Sequence, residues 1–133
     1  MNVRRKRIEY SATETERKVL EALWAVPEQG ASIRHIAAGI YGEDHGTGQY
    51  ATVQKLLDRL EKKGMVEKRR DGKVNIYAAC VDRSEYVGRQ LEGLADNFCG
   101  GSVMPLITNL VGSSRLSDSD LQSLRDLVDR KGK

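Results

Sequence analysis

The sequence predicts a mainly α fold: three helices, a two-stranded hairpin, and then further helices in a separate C-terminal region. Three observations predict it. Apolar residues recur at helical spacing up to Leu60, the period changes to strict alternation around Asp71-Gly72, and helical spacing returns from about Arg83. The order helix, helix, helix, hairpin is that of a winged helix-turn-helix.

The first helix is expected to begin near Thr13. A capping box satisfies its free amides, formed either by Thr13 with Glu16 or by Ser11 with Glu14. Val19, Leu20, Leu23 and Trp24 supply its buried stripe, and Pro27 and Gly30 end it. A second helix starts at Ser32 and runs to about Tyr41, with Ile33, Ile36, Ala37 and Ile40 on one face. Gly42 to Gly48 is a glycine-rich turn. The third helix spans about Gln49 to Lys63, with Val53, Leu56, Leu57 and Leu60 at i, i+3, i+4 and i+7. Gly64 stops it, because glycine adopts the left-handed conformation that helix ends favour. Met65 to Arg70 then reads as a strand, Asp71-Gly72 as its turn, and Val74, Ile76 and Ala78 as the covered face of a second strand, alternating with Lys73, Asn75 and Tyr77. Beyond Arg83, Val87, Leu91, Leu94 and Phe98 share a helical stripe, and Gly100-Gly101 breaks that helix. A short helix over Ser102 to Val111 carries Val103, Ile107 and Leu110, with Pro105 tolerated only near its first turn. Ser117 caps a last helix, which has Asp118 and Asp120 in its first turn and Leu121, Leu124, Leu127 and Val128 as its apolar face.

Opposite its apolar stripe the third helix is polar and basic, and a cationic hairpin follows at once. Such a surface suits a major groove and its flanking phosphates. The residues expected to meet DNA on the helix are Gln49, Tyr50, Thr52, Gln54, Lys55 and Arg59. Gln pairs with adenine edges, Thr touches a thymine methyl, and Lys takes guanine or phosphate. Lys68, Arg69, Arg70 and Lys73 are expected to set the wing on phosphates, although strand alternation lets only about half of them reach. The bland alternative is an ordinary solvated helix face; the wing, together with the family resemblance given below, favours DNA contact. The C-terminal helices are too short to bury their apolar faces alone. Val87, Leu91, Leu94, Phe98, Ile107, Leu121, Leu124, Leu127 and Val128 are therefore expected to close a homodimer, the alternative being packing on the chain's own N-terminal domain. The expected division is a basic N-terminal arm at 1–10, a winged-helix DNA-binding domain at 11–82 and a helical dimerisation domain at 83–133.

Composition agrees with a polyanion partner. The net charge is +3, with 15 Lys and Arg against 11 Asp and Glu in residues 1–81 and 7 against 8 in residues 82–133. No run reaches the length of a membrane span, and the basic start, Arg4 to Arg7, lacks the apolar core of a secretory signal; the cytoplasm is expected. Cys80 and Cys99 have no paired spacing and are read as small buried side chains. His35 and His45 lack a second ligand at metal-binding spacing, so neither metal nor cofactor is expected. The Gly42 to Gly48 loop lacks the Lys-Ser/Thr ending of a phosphate loop. No Ser, His and Asp set has triad spacing, so no enzyme is expected.

The run Glu16-Arg17-Lys18-Val19-Leu20-Glu21-Ala22-Leu23-Trp24, the run Tyr50-Ala51-Thr52-Val53-Gln54-Lys55-Leu56-Leu57-Asp58-Arg59-Leu60-Glu61-Lys62-Lys63-Gly64, the wing residues Asp71-Gly72 and Tyr77, the Gly100-Gly101 break and the closing Leu121 to Val128 helix resemble the penicillinase and methicillin-resistance repressors and their copper-responsive relatives. The resemblance covers nearly the whole chain after Tyr10, and its specificity lies in order and spacing. It implies a cytoplasmic homodimeric repressor on a palindromic operator. In the resistance repressors a membrane-embedded metalloprotease sensor triggers cleavage at an Asn-Phe bond. The aligned position is Asn109-Leu110, where leucine replaces the aromatic residue. The copper-responsive relatives carry a paired Cys-x-Cys tail, whereas this chain ends Asp129-Arg130-Lys131-Gly132-Lys133, which disfavours copper release.

Two other function classes compete. A winged-helix adaptor for proteins would need an apolar patch on the outer face of the third helix, where Lys55, Asp58 and Lys62 stand instead. A ligand- or redox-responsive regulator would need a pocket between elements or a reactive cysteine.

Overall fold

The computed structural model describes residues 7–132, so Arg4, Arg5 and Lys6 of the basic arm lie outside the described residues. The elements are α1 (Glu14–Trp24), β1 (Ala31–Ser32), α2 (Ile33–Tyr41), α3 (Thr47–Lys62), β2 (Val66–Asp71), β3 (Val74–Ala79), α4 (Arg83–Phe98), α5 (Met104–Gly112) and α6 (Asp118–Lys131). They fall into two compact units, residues 1–90 and 91–133, with α4 running through the division.

In the first unit α1 opens on the Thr13 box. The Glu16 amide donates to the Thr13 hydroxyl at 3.1 Å, and the Thr13 amide donates to Glu16 Oε1 at 2.9 Å. Val19, Leu20 and Leu23 of α1, Ile33, Ile36 and Ala37 of α2, and Val53, Leu56, Leu57 and Leu60 of α3 form one core. The predicted stripes are thus the buried ones except at their ends, where Trp24 and Ile40 are only half-buried, and the three helices pack on one another through them. Ser32 caps α2 by accepting from the His35 amide at 3.2 Å. After α3, Gly64 takes a φ of +82°, and a Cβ there would lie 3.1 Å from the Arg7 carbonyl oxygen. Its missing side chain therefore serves both the turn and the close passage of the N-terminal segment.

The sheet has the order β1-β3-β2, all antiparallel. Two features depart from expectation. β1 has only two residues, too few to show a period, and it pairs Ala31 with Tyr77 and Ser32 with Ile76. Gly30 lets it approach: at φ +89°, a Cβ would fall 2.3 Å from the Tyr77 carbonyl oxygen. The second departure is the phase of β3, which is opposite to the expected one. Tyr77 is buried, whereas Val74 is exposed and Ile76 and Ala78 are only half-covered. The helices pack on one face of the sheet and the tyrosine ring fills the space under them. Val74 sits at the hairpin tip, paired with Asp71, where no helical layer covers it.

The second unit has almost no interior of its own. Among its described residues only Ala95 is buried. Leu91, Leu94, Phe98, Val103, Met104, Ile107, Leu110, Val111, Leu127 and Val128 are all exposed, Phe98 at 78%. Its helices are nonetheless locally well specified. Gly100 and Gly101 both have positive φ, Pro105 falls in the first turn of α5, and Ser117 and Asp120 form a reciprocal box at α6 with both bonds at 3.0 Å.

Candidate nucleic-acid interface

Burying four apolar residues of α3 leaves its other face to solvent. Gln49, Tyr50, Thr52, Gln54, Lys55 and Arg59 are all exposed there, beside Asp58 and Lys62. The outer face of α3 carries no apolar patch; Tyr50, at 38% exposure, is its one large ring. Two of the polar residues have local duties. Gln49 Oε1 accepts the Gly46 amide at 2.8 Å, closing the first turn of α3, so its free group is the side-chain NH₂. The Thr52 hydroxyl donates to the Gly48 carbonyl at 2.9 Å. The side chains of Lys55, Arg59, Lys62, Lys68 and Lys73 make no hydrogen bond or ion pair among the described residues. Their charge is therefore available to an outside anion.

The register of the hairpin sorts the wing cations. Lys68 pairs with Tyr77 and Arg70 with Asn75, while Arg69 pairs with Ile76. Lys68 and Arg70 thus share the face of Tyr77, the helix side of the sheet, and Arg69 lies on the other. Arg69 Nη2 donates to the Gln29 carbonyl at 2.9 Å, bracing the wing on the loop after α1. Arg70 Nε donates to the Gly72 carbonyl at 3.1 Å and holds the turn. Beneath the wing, burial first, and then the nearby negative charges of Asp58 and Glu61, push the Tyr77 phenol above its ordinary value, so it stays neutral.

Arg34 is a further exposed cation at a helix start that the sequence analysis did not single out. It is exposed in the first turn of α2, directly after the Ser32 cap. Neither α2 nor α3 has an acidic residue in its first turn, whereas α1 has Glu14 and Glu16 and α6 has Asp118 and Asp120. A helix start is partially positive. Where the chain supplies no carboxylate, the amides and an Arg there remain open to a phosphate. The readable signal was a Ser cap followed by Arg rather than by Asp or Glu.

Away from this face lies an open hollow of about 460 Å³, lined among others by Trp24, Val26, Glu28, Glu67, Cys80 and Glu85. Cys80 is exposed and Cys99 half-buried, which corrects the expectation of two buried thiols. Cys80 follows the end of β3, where the chain leaves the sheet. Partial desolvation of its sulfur, with the Glu67 charge adding to it, pushes the Cys80 thiol above its ordinary value. A reactive sensor cysteine has the opposite shift. Among the described residues no cluster of His, Cys, Asp and Glu is placed to hold a metal ion, and no helix is long and apolar enough to cross a membrane.

The model of the penicillinase repressor family matches residues 12–130. The chain is 24% identical over 122 residues to the methicillin resistance regulatory protein MecI of Staphylococcus aureus (strain N315), which covers 92% of this chain and 96% of that protein. It is 26% identical over 78 residues to the penicillinase repressor of Bacillus licheniformis, covering 59% of this chain and 61% of that protein. With a buried-stripe α3, a basic wing and a match across nearly its full length, the chain belongs to the penicillinase repressor family, a winged-helix group of DNA-binding transcriptional repressors.

Proposed function

We propose that the protein represses transcription in the cytoplasm as a homodimer on a palindromic operator. Each winged helix sets α3 into a major groove, and residues 91–133 with the adjoining part of α4 join the two copies. The observation that carries this reading is the outer face of α3, where Lys55 and Arg59 stand exposed and, among the described residues, without a hydrogen bond or ion pair. Lys55, Arg59, Gln54 and the Gln49 amide read bases or adjacent phosphates. Lys68, Arg70 and Lys73 at the wing and Arg34 at the start of α2 grip the backbone. Arg69 braces the wing, and its contribution is indirect.

Lys55→Ala and Arg59→Ala are each expected to weaken operator binding by about 1–3 kcal/mol, and to flatten the dependence on log salt by about one unit if the lost contact is a phosphate. Both side chains are exposed, so the melting temperatures should stay at the wild-type value. Anisotropy titrations at several salt concentrations check this. Normal affinity in both variants would remove α3 from the groove.

We infer release by proteolysis at or near Asn109-Leu110, triggered by a membrane metalloprotease sensor. Leu110 is exposed, and α5 has no side-chain hydrogen bond from its N-cap residue, Val103, and no buried residue. Such a short helix opens readily, which a protease requires. Incubating the repressor with membranes from induced cells and sequencing new termini tests this. A new terminus between Met104 and Gly112 is expected; an intact chain while the target gene is derepressed counts against cleavage.

A further inference from the structure

The first two turns of α4, Arg83 to Gln90, are clamped onto the winged helix from two sides. On one side, Arg83 donates through Nη1 and Nη2 to the two carboxylate oxygens of Glu21 on α1, both at 2.6 Å. Its guanidinium also lies 4.9 Å from the centre of the Trp24 ring. Trp24 in turn donates through Nε1 to the Val81 carbonyl at 2.8 Å and meets the Tyr86 ring at 5.8 Å. On the other side, the segment before α1 crosses from the end of α3 to α4. The Glu9 amide donates to the Lys63 carbonyl at 2.8 Å, and Lys63 Nζ donates to the Ser11 carbonyl at 2.7 Å. Between these two anchors Tyr10 reaches α4. Its hydroxyl donates to Glu85 Oε2 at 2.6 Å, its carbonyl accepts from Gln90 Nε2 at 2.5 Å, and the Arg89 guanidinium lies 4.8 Å from its ring centre.

Most of these groups are exposed, and exposed ion pairs contribute little to stability. A paired guanidinium–carboxylate fork and a ring held between charged side chains do, however, fix direction well. What they fix here is the direction in which the first two turns of α4 leave the winged helix. In a dimer joined through the chain beyond Gln90, that direction bears on the separation of the two reading helices. The requirement is strict, because each added base pair moves one half-site by about 3.4 Å and turns it by about 35°.

Resting on the homodimer reading above, the geometry points to Tyr10 and Arg83 as positioning residues for operator spacing: they lock the exit of α4 so that two joined copies accept one half-site separation and reject its neighbours. Neither residue touches DNA. Their loss widens the range of spacings accepted and leaves the reading of each half-site unchanged.

The test uses the full chain and duplexes built from the half-site recovered in genomic fragments that the protein retains. One duplex carries a single half-site. The others carry an inverted pair at the natural spacing, or with one or two base pairs added or removed at the centre. Wild type is expected to lose about 100-fold in affinity on a two-base-pair change, since a linked second site counts only when geometry allows both to engage. Tyr10→Phe with Arg83→Met should lose no more than about tenfold, with single-half-site affinity within about threefold of wild type. An unchanged spacing profile in the double variant overturns the inference. So does a single-half-site affinity that falls as far as the palindrome affinity, since that marks general damage. If the double variant fails to fold, Tyr10→Phe alone decides: it removes one O–H, keeps the ring, and must still broaden the profile. Wild type that binds the palindrome no tighter than one half-site removes the dimer reading, and this inference with it.

Discussion

Phe98→Asp combined with Ile107→Asp is expected to leave the protein monomeric and to lower operator affinity by about 100-fold or more, the loss of a linked second site. Phe98 is the most exposed large apolar residue among the described residues, at 78%, and Ile107 is exposed at 43% on a helix that buries nothing. Exposed apolar residues scattered singly are ordinary. Ten of them within residues 91–133, with one buried alanine for an interior, are a surface awaiting cover. A second copy supplies the same residues and closes the set by symmetry. Each carboxylate placed in such an interface would have to be desolvated without a partner, which costs far more than the lost apolar contact. Light scattering reads the mass and anisotropy the affinity. The thermal melt of the winged helix should not move, because neither residue belongs to its core. A variant that stays dimeric and binds normally would mean that the copies join elsewhere.

How much of this was legible follows from how far each signal extends along the chain. The α3 stripe was readable because Val53, Leu56, Leu57 and Leu60 report one face within eight residues, and all four are buried. The caps at Thr13 and Ser117 were readable because each partner lies three residues away. Tyr77 was misjudged because alternation gives two phases and hydropathy chose the one with Val74. Packing chose the other, since only a large ring fills the space under the helices. Arg69 could not be told from Lys68 without the pairing that places Gln29 beside it. The role of Glu16 was half legible. Its capping bond is local, but its second partner, Lys63, is 47 residues away.

That second bond sets up an asymmetry: Lys63→Met is expected to destabilise the protein by about 3–5 kcal/mol, and Glu16→Gln by clearly less. Glu16 Oε1 accepts from Lys63 Nζ at 2.7 Å, with the Glu16 side chain 2% exposed and that of Lys63 22% exposed. Removing the lysine strands a buried carboxylate. Removing the carboxylate charge leaves an ammonium that still holds the Ser11 carbonyl and reaches water along its flexible stem, while glutamine can keep the bond to the Thr13 amide. Acidity supplies a second reading of the same pair. Burial opposes ionisation of Glu16, but the Lys63 bond and the Thr13 amide outweigh it, and the carboxyl titrates below its ordinary 4.5. A lowered folded value means that this contribution is complete above the ordinary carboxylate range and is lost as pH falls through the lower folded value. In Lys63→Met the burial penalty loses its main opponent, so the carboxyl should titrate above its ordinary value. The sign then reverses, and that variant should lose further stability as pH rises from about 4 to about 7. Urea unfolding across that range separates the cases. A Lys63→Met profile parallel to wild type would show that Glu16 is solvated after all, and that the tie between α1 and the end of α3 contributes only its capping bond.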